Sequence, residues 1–352
     1  MGLTTVCLSP ATFLFTGLTT HSYSRPSTTF KPSILFPINP NRNPTSNCSL
    51  SSSSSSMSSS YTFQIHASSS STDAASEELD RSSTTHIGAS DLLIVGPGVL
   101  GRLVAAKWRE EHPGCKITGE TVTTDHHDEL INMGINPTLK GVKRDHKYPY
   151  VIFCAPPSRS SDYASDVGEA ASLWNGEGSF LFTSSSAPYD RYDNGDCYED
   201  SPVVPIGKSP RTDILLKAEK NVMDAGGCVV RLAGLYKADR GMHLYYLRVG
   251  TVEANPDHLV NLIHYEDAAS LSVAILKKKL HSRLFLGCDN HPVSRQEVMD
   301  LVAKSGKFDQ TFVGFTGTDG VLGKKLNNSR TREETGWEPK YKSFAHFLGV
   351  PT

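Results

Sequence analysis

Three glycines between an apolar strand and a helix constrain this chain more than any other feature. Leu92 to Val95 form an apolar run typical of a buried strand, and the pattern Gly96-x-Gly98-x-x-Gly101 follows it directly. From Val99 onward, apolar residues recur at helical spacing until the sequence His112-Pro113-Gly114. The sequence therefore predicts a strand, a tight turn and a helix.

The position of these glycines predicts a chemistry. Amide groups at the start of a helix point towards the positive end of the helix dipole, so a phosphate can bind there. Gly96 permits the tight turn, Gly98 lets a ligand approach the backbone, and Gly101 lets the helix pack on the strand. We therefore expect Gly96, Gly98, Val99, Leu100 and Gly101 to bind the diphosphate of NAD or NADP. The alternative is a glycine-rich turn that binds nothing.

Further apolar runs follow at intervals that fit a sheet between two helix layers. Strands are predicted at residues 116–122, 150–154, 179–183, 228–232 and 284–287. Strands that are apolar throughout are buried on both faces, which favours an α/β fold with a doubly wound parallel sheet, the Rossmann fold. Beyond Gly250 the pattern loosens. Ser294 and Glu297 form a capping box there, and we expect a small C-terminal substrate lobe.

The second strand should end at the residues that contact the adenosine ribose and distinguish a 2'-hydroxyl from a 2'-phosphate. Glu120 has the expected separation from the glycine turn, Thr121 follows it, and the strand could run on to Asp125. An acid at this place binds a free 2'-hydroxyl, whereas an arginine accommodates a 2'-phosphate. No Lys or Arg lies between Lys116 and Lys140. We therefore expect NAD or NADP, with NAD favoured.

The N-terminal fifth of the chain has the composition of a targeting segment. Residues 1–72 contain no Asp or Glu, and they end close behind a serine tract at residues 51–60. Richness in Ser and Thr with few Arg favours a chloroplast transit peptide over a mitochondrial one. The alternative is a disordered serine-rich tail. We expect a cleaved segment 1–67, a linker 68–90, a dinucleotide-binding domain 91–250 and C-terminal elements including the lobe, 251–352, in the stroma.

Composition excludes several classes of partner. With 35 Lys+Arg against 37 Asp+Glu, the net charge is -2, so we expect no nucleic acid. No apolar run is long enough to cross a bilayer. The adjacent His126 and His127 lack companion ligands, so we expect no metal. A small-molecule substrate is the expected partner, and the sequence does not determine an oligomeric state.

Later segments resemble a known family. Phe182 to Tyr189 resembles a strand that carries a catalytic serine, which places Ser185 in the serine position. Arg231 to Tyr236 is similar to a segment that flanks the nicotinamide and the substrate, and Asn261 to Asp267 resembles a later stretch. Across residues 92–349, the order of these motifs resembles the extended and atypical short-chain dehydrogenase/reductases, especially the NAD-dependent epimerase/dehydratase-like group.

The resemblance implies roles for further residues. Cofactor contacts are expected at the ends of later strands, at Ala155, Pro156, Ser184 and Gly234. Ser185 would orient the substrate, and Tyr189, Tyr236 or His264 would supply a proton.

One departure from the family pattern bears on catalysis. The family's Tyr-x-x-x-Lys pair is missing, and its two positions fall on Arg211 and Leu215. Arginine is not an acid or base at neutral pH, and leucine carries no charge, so the usual mechanism is not available. One hypothesis is a plastid NAD(P)-binding oxidoreductase or epimerase that acts on a small polar metabolite. The other is a non-catalytic dinucleotide-binding module for regulation or interaction.

Overall fold

The computed structural model describes residues 87–351. The expected transit peptide and residues 68–86 of the linker lie outside this range. Within it, no helix is long and apolar enough to span a membrane.

A seven-stranded sheet forms the centre of the fold. Its strands are β1 (Leu92–Val95), β2 (Ile117–Thr121), β3 (Asn136–Leu139), β4 (Tyr148–Phe153), β5 (Trp174–Ser185), β7 (Cys228–Leu232) and β12 (Leu284–Gly287). All neighbours are parallel, in the order β12-β7-β5-β4-β1-β2-β3. The chain winds outward from β1 to β3 and then from β4 to β12 in the opposite direction. The predicted doubly wound α/β fold is confirmed.

Nine helices accompany the strands in the described residues. They are α1 (Val99–Glu111), α2 (His127–Asn132), α3 (Tyr163–Ser172), α4 (Pro210–Asp224), α5 (Met242–Val249), α6 (Tyr265–Lys278), α7 (Arg295–Ser305), α8 (Ser329–Thr335) and α9 (Phe344–Leu348). The predicted capping box begins α7, because the Ser294 hydroxyl accepts the Glu297 N–H at 3.0 Å and Glu297 accepts the Ser294 N–H at 3.4 Å.

Strand β1 supplies both faces of the sheet. Leu92 and Ile94 enter the apolar core on the side of α1 and α6, whereas Leu93 and Val95 enter the core on the side of α3 and α4. Successive side chains of a strand point to opposite faces, so a strand covered on both sides is apolar at every position. This double burial explains the uninterrupted apolar run.

Smaller elements build a lobe on the sheet. Its strands are β6 (Asp196–Cys197), β8 (Gly234–Tyr236), β9 (Thr251–Val252), β10 (Leu259–Val260), β11 (Leu262–His264), β13 (Val293–Ser294), β14 (Gly314–Phe315) and β15 (Lys325–Leu326). They pair as β6–β15, β8–β11, β9–β14 and β10–β13. A third apolar core joins α5, α7 and α9. Residues 251–352 are not confined to this lobe, because β12 completes the main sheet and α6 covers its core.

Candidate functional site

The carboxyl ends of the parallel strands meet at one edge of the sheet, here called the carboxyl edge. The strand order reverses between β1 and β4, which are neighbours in the sheet. In open α/β sheets, ligands bind in the crevice outside this reversal point. The glycine turn leaves β1 at that point and leads into α1.

Each glycine of the turn has its own structural reason. Gly96 has φ +79, and a Cβ there would lie 2.6 Å from the backbone of Ala155. A Cβ on Gly101 would lie 2.9 Å from Cγ2 of Ile94, so this glycine allows α1 to approach β1. A Cβ on Gly98 would meet only the Gly96 carbonyl oxygen, at 4.0 Å. Gly98 therefore borders open space at the start of α1.

The start of α1 has unused hydrogen-bond donors. Gly98 occupies the N-cap position without a side-chain cap, and the first turn contains no acidic residue. The first amides of a helix have no acceptor within the helix, so those of Val99, Leu100 and Gly101 remain available to a ligand. Together with the helix dipole, they favour the binding of an anion.

At the place where the sequence predicts an acid that binds the ribose, the acid is already paired with an arginine. Glu120 forms an ion pair with Arg144, with 2.7 Å between Oε2 and Nη1, and the two side chains are only 11% and 8% exposed. Arg144 comes from the loop between β3 and β4. Thr121 is the last residue of β2, and its hydroxyl lies 2.8 Å from Nε2 of His127. Asp125 lies beyond the strand, where its carboxylate accepts the Thr123 hydroxyl at 2.9 Å.

The remaining predicted cofactor residues lie at different places. Ala155 follows β4 and abuts Gly96. Pro156 leads into a short 3₁₀ turn at Pro157–Arg159. Gly234 is exposed in β8, where its N–H donates to the Asn261 carbonyl at 2.9 Å.

Ser184 and Ser185 end the central strand β5, and their hydroxyls have different surroundings. The Ser184 hydroxyl is buried and donates to Glu219 at 2.5 Å, so it belongs to the interior. The Ser185 hydroxyl is half-buried and accepts the N–H of Ala187 at 3.1 Å. No acceptor for the Ser185 hydroxyl proton is found among residues 87–351. Ser185 can therefore donate a hydrogen bond to a bound molecule.

The two candidate tyrosines are buried. Tyr189 donates to the Glu199 carbonyl at 3.0 Å, and the Arg231 guanidinium lies 4.6 Å from its ring centre. The Tyr236 hydroxyl has no hydrogen-bond partner within the part of the chain described. Burial raises the pKa of both phenols. A raised pKa opposes proton exchange at neutral pH, and neither phenol reaches the carboxyl edge as an exposed group.

His264 caps a helix. Its Nδ1 accepts the N–H of Glu266 at 3.2 Å, and its ring centre lies 4.1 Å from that of Tyr341. Burial lowers the pKa of His264 to about 4, so the imidazole is neutral near neutral pH. These contacts describe a packing role for this side chain.

The positions of the family's missing pair lie on α4. Arg211 is exposed, whereas Leu215 packs in the core between the sheet and α3. Neither side chain offers an acid or a base to the carboxyl edge.

A lysine from the distant C-terminal segment stands beside the loop that follows Ser185. Nζ of Lys324 donates to the carbonyls of Tyr189 at 2.6 Å and Ser186 at 3.4 Å. Burial lowers the pKa of this ammonium. Asn261 holds the segment in place, since it donates to the Lys324 carbonyl at 2.8 Å and accepts the N–H of Leu326 at 2.8 Å. Sequence reasoning missed Lys324, because no local motif connects it with Ser185.

Among residues 87–351, no group of three or more His, Cys, Asp or Glu side chains could hold a metal ion. His126 lies 3.4 Å from Glu129, and His127 contacts Thr121.

Several solved structures are similar to this chain in fold. No protein-family model matches the sequence, and no curated protein matches it. A conserved protein of unknown function from Silicibacter pomeroyi has a TM-score of 0.61 at 20% identity, with 74% of this chain and 96% of that chain covered. The dTDP-glucose 4,6-dehydratase of Bacillus anthracis, in complex with NAD, has a TM-score of 0.61 at 14% identity, with 73% and 94% covered.

A third structure is similar to the same extent. The UDP-glucuronic acid 4-epimerase of Bacillus cereus, in complex with NAD, has a TM-score of 0.59 at 14% identity, with 74% and 96% covered. The chain has the fold of NAD-dependent epimerases and dehydratases. The seven-stranded parallel sheet belongs to this epimerase/dehydratase fold.

Proposed function

We propose that this protein is an NAD(P)-dependent oxidoreductase or epimerase that acts on a small polar metabolite. The observation that carries the proposal is the open space at Gly98, in front of the uncapped start of α1. The dehydratase and the epimerase named above are similar in fold, and both structures contain NAD. Both enzymes are named for nucleotide-sugar substrates, which supports a polar metabolite.

The residues at the carboxyl edge suggest how the site works. The amides of Val99, Leu100 and Gly101 hold the diphosphate, and a bound nicotinamide supplies hydride transfer. Ser185 donates a hydrogen bond that orients the substrate oxygen. Lys324 places a positive charge beside the same loop, where it favours a substrate oxygen that gains negative charge.

Nucleotide titration tests the proposal. Residues 68–352 are purified without nucleotide and titrated with NAD, NADH, NADP and NADPH. Gly98→Ala fills the open space in front of α1 and should weaken binding by about tenfold or more, because the diphosphate can no longer approach the backbone. Gly168→Ala is the matched control, since the nearest atom to its added Cβ is 3.8 Å away. If the native protein bound none of the four nucleotides, the proposal would fail.

Turnover separates the enzyme from a binding module. UDP-glucose, UDP-glucuronic acid and dTDP-glucose are offered together with the bound nucleotide, and the absorbance of the nicotinamide and the sugar products are followed. Turnover that Ser185→Ala reduces by about a hundredfold supports the enzyme.

The second candidate is a non-catalytic dinucleotide-binding module. Its support is the placement of Arg211 on the surface and Leu215 in the core, together with the buried state of Tyr189 and Tyr236. Firm nucleotide binding without turnover of a broad panel of polar metabolites would favour this candidate.

We also propose that the protein works in the chloroplast stroma. The support is the acid-free, Ser/Thr-rich composition of residues 1–72. A fluorescent protein fused behind residues 1–86 should enter chloroplasts and lose the leader, whereas a fusion of residues 87–352 should stay outside. Retention of both fusions in the cytosol would contradict this location.

A further inference from the structure

We propose that Arg102, Thr121 and His127 form a 2'-phosphate site, so that this chain binds NADP(H) in preference to NAD(H). The inference rests on the proposed function, since it concerns the ribose end of the same dinucleotide site. It replaces the sequence-based preference for NAD, which rested on Glu120 and on the absence of basic residues between Lys116 and Lys140.

Glu120 is committed to another partner. Its carboxylate is bonded to Arg144 at 2.7 Å, and both side chains are about nine-tenths buried, at 11% and 8% exposure. Separating a buried pair leaves an uncompensated charge in the interior, which is strongly unfavourable. The acid with the right spacing in the sequence therefore cannot turn towards a ribose without breaking its pair with Arg144.

Strand register places Thr121, and not Glu120, on the side of the glycine turn. Glu120 lies opposite Val95, whose side chain enters the core on the side of α3 and α4. Gly119 faces the other way, since a Cβ there would lie 3.1 Å from Cγ of Pro97 in the glycine turn. Side chains alternate along a strand, so Thr121 shares the face of Gly119. The residue that ends β2 on the cofactor side is a neutral threonine.

Arg102 and His127 lie on the two helices next to this position, and Arg102 in α1 is bonded to α2, which begins with His127. Arg102, on the first turn of α1, donates from Nε to the Pro97 carbonyl at 3.2 Å and from Nη1 to Glu129 at 2.7 Å. Its Nη2 has no partner in residues 87–351. The imidazole of His127 lies 2.8 Å from the Thr121 hydroxyl. The Thr121 hydroxyl also lies 3.4 Å from the Thr138 carbonyl. Nη2 of Arg102 can donate to a phosphate, and the Thr121 hydroxyl can do so when His127 donates to it. A nearby arginine is the usual means of accommodating a 2'-phosphate.

None of the neighbouring acidic residues lies at the end of β2, where a residue would contact the ribose. Glu129 is paired with Arg102 and lies 3.4 Å from His126. Asp125 is exposed beyond the strand end and accepts the Thr123 hydroxyl. Asp128 is exposed in the first turn of α2. None of the three is the residue that ends β2.

The test compares nucleotide affinities of matched variants. The native protein should bind NADPH at least about tenfold more tightly than NADH. Arg102→Gln removes a charge-assisted bond to the 2'-phosphate, so it should weaken NADPH by about tenfold or more and leave NADH nearly unchanged. Arg109→Gln is the matched control, because it makes the same charge change two turns later in α1, where the side chain donates to the Gly134 carbonyl. Its ratio of affinities should equal that of the native protein.

Two further variants identify the reading residue. Thr121→Asp places a carboxylate at the end of β2, which should repel the 2'-phosphate, accept the 2'-hydroxyl and reverse the preference. The double variant Glu120→Gln with Arg144→Gln removes the buried pair without changing net charge, and its preference should stay that of the native protein. Thermal unfolding of each variant verifies that it is folded.

The outcomes separate this inference from the proposed function. Tighter binding of NADH than of NADPH, or an unchanged ratio in both Arg102→Gln and Thr121→Asp, overturns the 2'-phosphate site and leaves the dinucleotide site standing. A change of preference only in the Glu120 and Arg144 double variant overturns it as well. Absence of binding by all four nucleotides overturns both.

Discussion

Arg231 and Glu219 form a buried ion pair one strand position from Ser185. Arg231 lies opposite Ser184 in the register of β7 and β5, and its guanidinium donates to Glu219 from Nε at 3.1 Å and Nη2 at 2.6 Å. Glu219 also accepts the Ser184 hydroxyl. This network fixes the end of β5, where Ser185 lies.

Removing the negative partner should destabilise the protein. Arg231 and Glu219 are each only 6% exposed, so Glu219→Gln leaves a guanidinium in the interior without its counter-charge. The free energy of unfolding, measured with urea, should fall by about 3–5 kcal/mol. The control is Asp224→Asn in the same helix, which breaks the ion pair between Asp224 and Lys220. The Lys220 side chain is 68% exposed and that of Asp224 is 62% exposed. It should cost less than about 1 kcal/mol. Equal losses in the two variants would contradict the structural role of the buried pair.

His243 should make stability depend on pH. It is fully buried in the lobe, and burial lowers its pKa from 6.5 to about 4. Between these values the unfolded chain binds a proton that the native state refuses, so stability is full above about pH 6.5 and falls as pH drops towards 4. Asp289, whose pKa burial raises to about 7, acts in the opposite direction, so the test is a difference between two proteins.

The comparison uses His243→Leu. From pH 7 to pH 5, the native protein should lose about 2 kcal/mol more of its free energy of unfolding than the variant. Urea unfolding at both pH values measures this difference. Parallel pH profiles of the two proteins would show that His243 is protonated equally in the native and unfolded states.

Strand β1 and helix α1 form the element on which the site depends. The helix packs closely on the strand at Gly101, and it leaves open space at Gly98. Gly101 is needed for close packing and Gly98 for open space, so two glycines within four residues serve different purposes.

The apolar strands were predicted from sequence because both of their faces are buried. Strand β3 was not predicted, since it lies at the sheet edge and contains the polar Asn136 and a proline, Pro137.

A pair of glycine substitutions tests this packing. Gly101→Ala would place Cβ 2.9 Å from Ile94 and 3.1 Å from the Gly96 carbonyl, so the helix must shift. It should lower the free energy of unfolding by about 1–3 kcal/mol. Gly168→Ala in α3 meets no atom closer than 3.8 Å, and it should raise stability by about 0.5–1 kcal/mol because alanine favours a helix. Urea unfolding of both variants checks the opposite signs, and the same sign in both would contradict the packing.

At the scale of the whole molecule, the C-terminal part completes the central sheet and its apolar core. β12 pairs with β7 at one end of the sheet, and α6 buries Leu271, Ile275 and Leu276 in the core that contains α1. Lys324 of the lobe also donates a hydrogen bond to the Tyr189 carbonyl, in the loop that follows β5. Residues 91–250 and the C-terminal elements are therefore interdependent.

A fragment of residues 87–250 should not fold by itself. Without α6 and β12 it would expose to water part of the apolar sheet face that α1 and α6 cover together, which removes much of the stabilisation by burial. We expect no cooperative thermal transition and strong binding of a hydrophobic dye, whereas residues 87–352 should unfold cooperatively. A sharp transition in the fragment would mean that residues 91–250 form an independent domain.

The sequence by itself determined the apolar strands of the sheet and the glycine turn, because each depends on local pattern: apolar runs, helical spacing, and residues without side chains. The family resemblance placed Ser185 at the end of β5. Only the tertiary structure decided which polar groups meet. Arg144 reaches Glu120, Lys324 reaches the Tyr189 carbonyl, and Ser184 turns inward to Glu219. These partners lie far apart in the chain, and hydrogen bonds depend on distance in space. The folded register of β2 assigns its two faces, and so it separates Glu120 from Thr121.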